Sequence, residues 1–501
     1  MNRDVAGWAV PTTVAAGLIA YFVLTHLPGL SGDSVALVHG AHTISYCASH
    51  DIYSYCDRLP QFVPGGFQAA AHHQIVEGAV SPYPLFQYLP AIVLSEFGVS
   101  DPAILKDLSV ISLLAFCGTL ALSIRLALLT RRRWTAPLVV VLITTSPLVY
   151  YAWLTFGESL AAFLVLLAAT AALRRWRPTA IGLTALLACI TKETAFVFIA
   201  LLGGAALYAT PVAARPVRRS HLAGLGCGIL VGVVVNCAFD WFRYGQLTNY
   251  TYDHSYTRVP GLVHRLALSV ALWLSPNGGV AWFWLPGTAV VVLIVMIAAS
   301  GLHRRAFRAR TGSATALVVA LLLLTGTLAS WFAPFGWAAW GPRLMMPIVP
   351  PVVVTAVILY GAKIEQFLAW LTHHVFWTML LAGVTIAFGL PEVNVLHAPQ
   401  IVGALFLPDA TCPNPAGANV MVDPRYYYHC IDHWAWGSHS VLLSSFHALD
   451  QVSGSVYGVV FAVLWTWLLV SVTAAPHGAR SRLSAGLSRR RAVSGDEVGM
   501  G

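Results

Sequence analysis

The chain has 501 residues, of which 57% are hydrophobic and only 10% charged, with a mean hydropathy of +0.71. Soluble domains carry about 25% charged residues, so a water-soluble enzyme is excluded. The net charge of +9 would suit a nucleic-acid binder, but the basic residues sit between apolar runs along the whole chain, so no nucleic-acid partner is expected.

Apolar runs long enough to cross a bilayer recur from end to end. In chain order, spans are expected near 7–30, 105–129, 135–153, 155–173, 179–191, 194–211, 221–241, 279–301, 313–333, 344–361, 372–390 and 453–475, the fifth being short. The first run, Trp8–Leu30, is too long for a signal peptide and is followed by many more. The expected fold class is therefore an all-α polytopic membrane protein with about 12 transmembrane helices. Twenty-one of the 29 basic residues fall at one set of span ends: Arg3, Arg125, Arg131–Arg133, Arg174/Arg175/Arg177, Arg215/Arg218/Arg219, Arg304/Arg305/Arg308/Arg310, Lys363 and Arg480 onward. The other eight fall at the opposite ends, with 16 of the 20 acids. The positive-inside rule makes the first set cytoplasmic. Alternation through twelve spans then puts both termini in the cytoplasm of a multi-pass plasma-membrane protein. The Arg-rich tail 476–501 reads as disordered.

Three outer segments are long, 31–104, 242–278 and 391–452, and they hold nearly all the titratable residues. Cys117, Cys189, Cys227 and Cys237 lie in or near spans, where a thiol acts as a small apolar group. Cys47 and Cys56 share the first outer segment, and Cys412 and Cys430 the last. An oxidising exterior favours two local disulfides there, with four unpaired thiols as the alternative. No Cys-x-x-Cys spacing points to zinc.

The first outer segment opens on Ser31-Gly32-Asp33-Ser34. An acid fixed at a helix end and facing water suits general-base work, although Asp is equally a favoured helix cap. Asp51 lies further along. The run from Ser81 to Pro90, with Tyr83 in it, is aromatic and broken by prolines, which suits a short helix lying along the membrane interface. Glu158, in Thr155-Phe156-Gly157-Glu158-Ser159-Leu160, stands at the outer start of an apolar span, where an ionisable group is either functional or reaches the interface to solvate. The chain has three lysines, and Lys106 and Lys192 lie outside against the topology bias. Such placement points to an anionic ligand such as a lipid phosphate; for Lys192 an ion pair with Glu193 or Glu158 is the other reading. Arg343 follows Trp337-Ala338-Ala339-Trp340-Gly341-Pro342 at another outer span end. Its planar fork suits phosphate oxygens, and the tryptophans suit interface anchoring or sugar stacking.

Five pieces in order resemble the polyprenyl-phosphate-sugar-dependent glycosyltransferases of the GT-C superfamily, in particular the actinobacterial branch related to protein mannosyltransferases. They are Gly32-Asp33, the Thr155–Leu160 segment, Thr191-Lys192-Glu193-Thr194, Asp240-Trp241-Phe242-Arg243-Tyr244-Gly245 with Ser275-Pro276-Asn277-Gly278-Gly279, and Trp340-Gly341-Pro342-Arg343-Leu344. Ser34 stands where the family more often has a second acid, which brings Asp51 in as a candidate assistant, and Asp240 stands where Asn is frequent. The resemblance implies a catalytic core over 1–361, further spans with an outer segment over 362–475, and the basic tail 476–501. It implies transfer of mannose or arabinofuranose from a polyprenyl-phosphate donor to a cell-envelope glycan, lipoglycan or protein acceptor at the outer face of the bilayer, with inversion. By the same analogy Asp33 is the base, and Arg343 and Lys192, with Arg243, hold the donor phosphate; Lys106 joins that set by its outer placement, and Glu158, Glu193, Trp340 and Tyr83 are the supporting candidates. Any metal requirement stays open, with Mg or Mn the cations in question. The competing readings are a secondary transporter, against which the absence of matched halves counts, and a non-catalytic envelope-assembly protein.

Overall fold

The structure, a computed structural model, describes residues 32–49, 83–130, 132, 134–152, 157–209, 215–249, 259, 261–275, 278–303, 309–331, 335 and 342–372. Among these residues the fold is all-helical. Helix α1 is Gly32–Ser49, α2 Leu85–Glu96, α3 Asp101–Leu129, α4 Thr135–Thr144, α5 Leu148–Tyr151, α6 Glu158–Leu173 and α7 Pro178–Thr191. Then follow α8 Ala195–Ala209, α9 Arg215–Tyr244, α10 Leu262–Leu274, α11 Val280–Phe283, α12 Leu285–His303, α13 Ala309–Ala329, a 3₁₀ turn at Arg343–Met345, and α14 Val349–Thr372. Three stretches, Asp101–Leu129, Arg218–Tyr244 and Gly312–Ala329, are long and apolar enough to cross a bilayer, and six shorter apolar helices accompany them.

The packing is that of a bundle made for lipid. The interior mixes small residues such as Ala162, Ala168, Ala169, Ala185 and Ala205 with large ones such as Tyr151, Phe283 and Trp284. Large apolar side chains also face outward, among them Leu114, Leu230, Val234, Met296 and Leu322. A soluble domain of this size would leave such patches as aggregation sites; an acyl-chain solvent covers them. The chain is an α-helical membrane protein.

Local chemistry sets the helix ends. Pro102 is the second residue of α3 and Pro178 the first of α7, positions in the first turn where the missing N–H is no loss. The run expected as one span over 135–153 is broken. Helix α4 ends at Thr144, and α5 restarts at Leu148 after Pro147, with the Ser146 hydroxyl donating to the Ile143 carbonyl. Pro cannot continue the i to i−4 ladder, and this break carries the chain round to α6. The run expected from 344 starts as a helix only at Val349, and it continues through 361 to Thr372 with a non-helical residue at Tyr360. The 361/362 division thus falls inside α14. The short helix expected along 81–90 is α2, which runs on past Pro90. Leu89 and Val93 on it, and Phe97 just past its end, are exposed at every fourth residue, while Gln87, Tyr88 and Ala91 are buried. One apolar row out and one polar-aromatic row in is the pattern of an interfacial helix.

Helices α7 and α9 pack in close register. A Cβ at Gly224 would fall on the Pro178 carbonyl and one at Gly228 on the Gly182 carbonyl, and Asn236 donates to the Cys189 carbonyl at 3.0 Å. That register delivers Lys192 and Glu193, just past α7, to the level of Asp240 and Arg243 at the end of α9.

Candidate functional site

The charged residues of four distant segments meet at this end of the bundle. Glu158 is the first residue of α6, and Gly157 before it has φ 72°, a left-handed conformation that glycine adopts without a Cβ penalty. The turn aims Glu158 inward. Its side chain is 3% exposed, and Oε1 accepts the Nε–H of Arg343 at 2.8 Å. Arg343 comes from the 3₁₀ turn before α14 and is 5% exposed. Glu158 therefore does not solvate at the interface. It is a buried partner, and removing either member leaves an uncompensated buried charge.

Lys192 is the C-cap of α7 and forms no direct ion pair among the described residues. Its charge interacts with Glu158, Arg343 and Glu193; burial pushes the ammonium below its ordinary range, and Glu158 opposes that most. The two cations thus share one carboxylate. The sequence alternative of an ion pair is met only at longer range.

Arg243 anchors the second half. Its Nη2 donates to Asp240, and to Glu193 at 3.3 Å, while Nη1 donates to the Tyr83 carbonyl at 2.8 Å. The guanidinium lies 4.2 Å from the Phe239 ring centroid and 4.6 Å from that of Tyr244. With no exposed surface, Arg243 ties α9 to the α7–α8 turn and to the start of α2. Asn249 donates Nδ2 to both oxygens of Glu193 at 3.2 Å. Burial and the nearby Asp240 push the Glu193 carboxyl up to about 7, against the pull of Arg243, Asn249 and Lys192. Tyr83 contributes its carbonyl and an edge-on ring contact with Tyr88, 6.1 Å between centroids.

A polar seam holds α1 against α2 and α3. With its proton on Nε2, His42 donates to Asp101 at 2.8 Å and accepts the Ser95 hydroxyl at Nδ1 at 3.0 Å, and Ser45 donates to Glu96. Leu37, Val38, Ala41 and Ile44 pack beneath it with Tyr88 and Ile104. Asp33 lies in the first turn of α1; its side chain, and all of Asp51, Cys56, Trp340, Cys412 and Cys430, lie outside the described residues. Cys47 is buried and disulfide-bonded, to a partner also outside them. Lys106 is exposed on α3 and is not among the charges acting on Lys192, Glu193 or Arg243. In the Ser275–Gly279 segment the Gly279 amide donates to the Ser275 carbonyl at 2.7 Å, closing a local turn.

Sequence patterns alone do not reveal Gln87, Asn249 or the His42 seam. Gln87 lies in a run that reads as aromatic, and nothing local distinguishes its amide. His39 and His42, three apart on one helix face, are the only local signal for the seam. Among the described residues no group of three or more His, Cys, Asp or Glu side chains is placed to hold a metal ion. Compared with known proteins, the chain matches no family model, no curated protein and no solved structure.

Proposed function

We propose that the chain is an integral-membrane glycosyltransferase of GT-C type, with twelve spans and both termini cytoplasmic. It moves mannose or arabinofuranose from a polyprenyl-phosphate donor to an envelope glycan, lipoglycan or protein acceptor at the outer face. The observation that carries this reading is the convergence of Lys192 and Arg343 on Glu158 from turns that are 151 residues apart in sequence. Lys192 and Arg343 bring two cations to one carboxylate, and cations so placed suit the oxygens of a lipid phosphate. The motif segments that carry the family resemblance supply these residues.

In this reading Asp33 takes the proton of the acceptor hydroxyl as its oxygen attacks the anomeric carbon. The bond from that carbon to the phosphate oxygen breaks, and the polyprenyl phosphate leaves with the electron pair. Lys192 and Arg343 offset the charge gathering on the leaving phosphate, and such electrostatic stabilisation usually contributes most to the rate in sites of this kind. Arg243, enclosed by its own partners, sets the position of the Lys192–Glu193 turn.

The test is transfer from polyprenyl-phosphate-mannose and polyprenyl-phosphate-arabinofuranose by the purified protein in nanodiscs. Asp33→Asn should lower turnover by about 10²-fold or more, the scale of general-base catalysis, with donor binding retained. Arg343→Lys keeps charge but loses the fork, so donor affinity should fall. Near-normal transfer by Asp33→Asn would remove Asp33 as the base, and no transfer from either donor by the wild-type protein would remove the reading.

A further inference from the structure

Gln87 is 6% exposed on the inner face of α2, and its Nε2 donates to the Thr191 carbonyl at 3.0 Å. A carbonyl can be paired only by the amide nitrogen, so this bond fixes which way the Gln87 amide faces. Its other end packs on Gly157, where a Cβ would land on the Gln87 amide. The side chain is thus clamped between the end of α7 and the start of α6. Oε1 is left buried with no donor among the described residues. The residue after Gly157 is Glu158, whose Oε1 is taken by Arg343 and whose Oε2 is likewise buried with no donor among them. Two acceptors therefore flank Gly157 beside the two cations, both unmet among the described residues. Buried acceptors are nearly always paired, and each costs stability while it is not.

The donor's phosphodiester cannot meet them, because it is ionised and all its oxygens are acceptors. Hydroxyl groups can. We propose that Gln87 Oε1 and Glu158 Oε2 are the specificity-determining acceptors for hydroxyls of the donor sugar, next to the cations that hold its phosphate. This rests on the donor reading above and deepens it by dividing the site into a phosphate side, Lys192 and Arg343, and a hydroxyl side, Gln87 and Glu158. A site that hydrogen-bonds a hydroxyl rejects analogues lacking it far more strongly than an apolar pocket rejects a missing methylene.

The experiment is equilibrium binding to the full-length protein in nanodiscs, using sugarless polyprenyl phosphate and the same lipid bearing mannose or arabinofuranose. Wild type should bind one of the sugar-bearing lipids about 10-fold or more tighter than the sugarless lipid. Glu158→Gln removes a negative charge beside Lys192 and Arg343 and turns an acceptor into a donor. It should hold the sugarless lipid as tightly or more tightly while losing most of the preference for the sugar-bearing one. Opposite movements for the two lipids cannot arise from a merely weakened fold. Gln87→Met, close in volume, should lose the preference while retaining sugarless binding, and it decides the matter if Glu158→Gln does not fold. Equal binding of sugarless and sugar-bearing lipids by wild type, or an unchanged preference in the variants, overturns the assignment and leaves the phosphate side standing. Failure of wild type to bind any of the three overturns the donor reading, and this inference with it.

Discussion

Glu193 and Asp240 approach the same guanidinium, and Asn249 spends both its reach and its donor on Glu193. Burial outweighs these partners and raises the Glu193 carboxyl from its ordinary 4.5 to about 7. At pH below the ordinary range the folded and unfolded chains both carry the proton, and the residue gives stability no slope. Between that range and about pH 7 the folded chain holds more protons than the unfolded one, so stability falls as pH rises. The thermal unfolding midpoint in detergent should therefore drop from about pH 5 to 7. Glu193→Gln should flatten that part of the profile, and an unchanged slope in the variant would place the titration elsewhere. The sequence shows Lys192-Glu193 as an isolated charge pair in a turn; it cannot show that the pair serves two neighbours, because Glu158 and Arg243 reach it only through helix packing.

Helices α7 and α9 meet through Gly182, Gly224, Gly228 and Gly232, and the last three recur every fourth residue on one face of α9. Small residues at that spacing let two backbones approach closely in a membrane, where van der Waals packing drives association. At Gly228 the obstacle to a Cβ is the Gly182 backbone, which cannot rotate away. Gly228→Ala should cost about 1–3 kcal/mol, the scale of overpacking, and should shift the Lys192–Glu193 turn against Arg243, lowering donor affinity. Gly226, on the same helix, meets nothing within 4 Å. Gly226→Ala should be neutral or stabilising by helix propensity. Thermal unfolding of the two variants in parallel checks this, and equal losses would argue against the α7–α9 contact.

At the scale of the whole molecule, the ion-pair and hydrogen-bond contacts sort the helix ends into two sets. Glu158, Lys192, Arg243 and Arg343 gather at one end. At the other, Arg132 at the foot of α3 pairs with Glu365 near the foot of α14 at 3.2 Å, Arg174, Arg175 and Arg177 lie on the α6–α7 connection, and Arg218 and Arg219 lie in the first turns of α9. In the proposed topology the second end is the cytoplasmic one, by the positive-inside rule. A cysteine replacing the exposed Thr248 should react with an impermeant thiol reagent in intact cells, and one replacing Trp176 should react only after permeabilisation. The reverse pattern would invert the molecule and place the candidate site in the cytoplasm, out of reach of an outer-leaflet donor.

The membrane class and the helix-rich character follow from the amino-acid sequence alone, because lipid admits only structures that satisfy their own backbone, and apolar runs of that length can do so as helices. The sequence also marks Lys192, Glu158 and Arg343, since charges at the ends of apolar spans are costly and so stand out. Tertiary structure alone decides their partners. The 2.8 Å pairing of Glu158 with Arg343 spans 185 residues, and the clamp on Gln87 depends on a turn at Gly157 and a carbonyl at Thr191. Neither has a local signature, because long-range pairing is set by which helix faces meet. Hydrophobic periodicity says little about that when helices are apolar on every side.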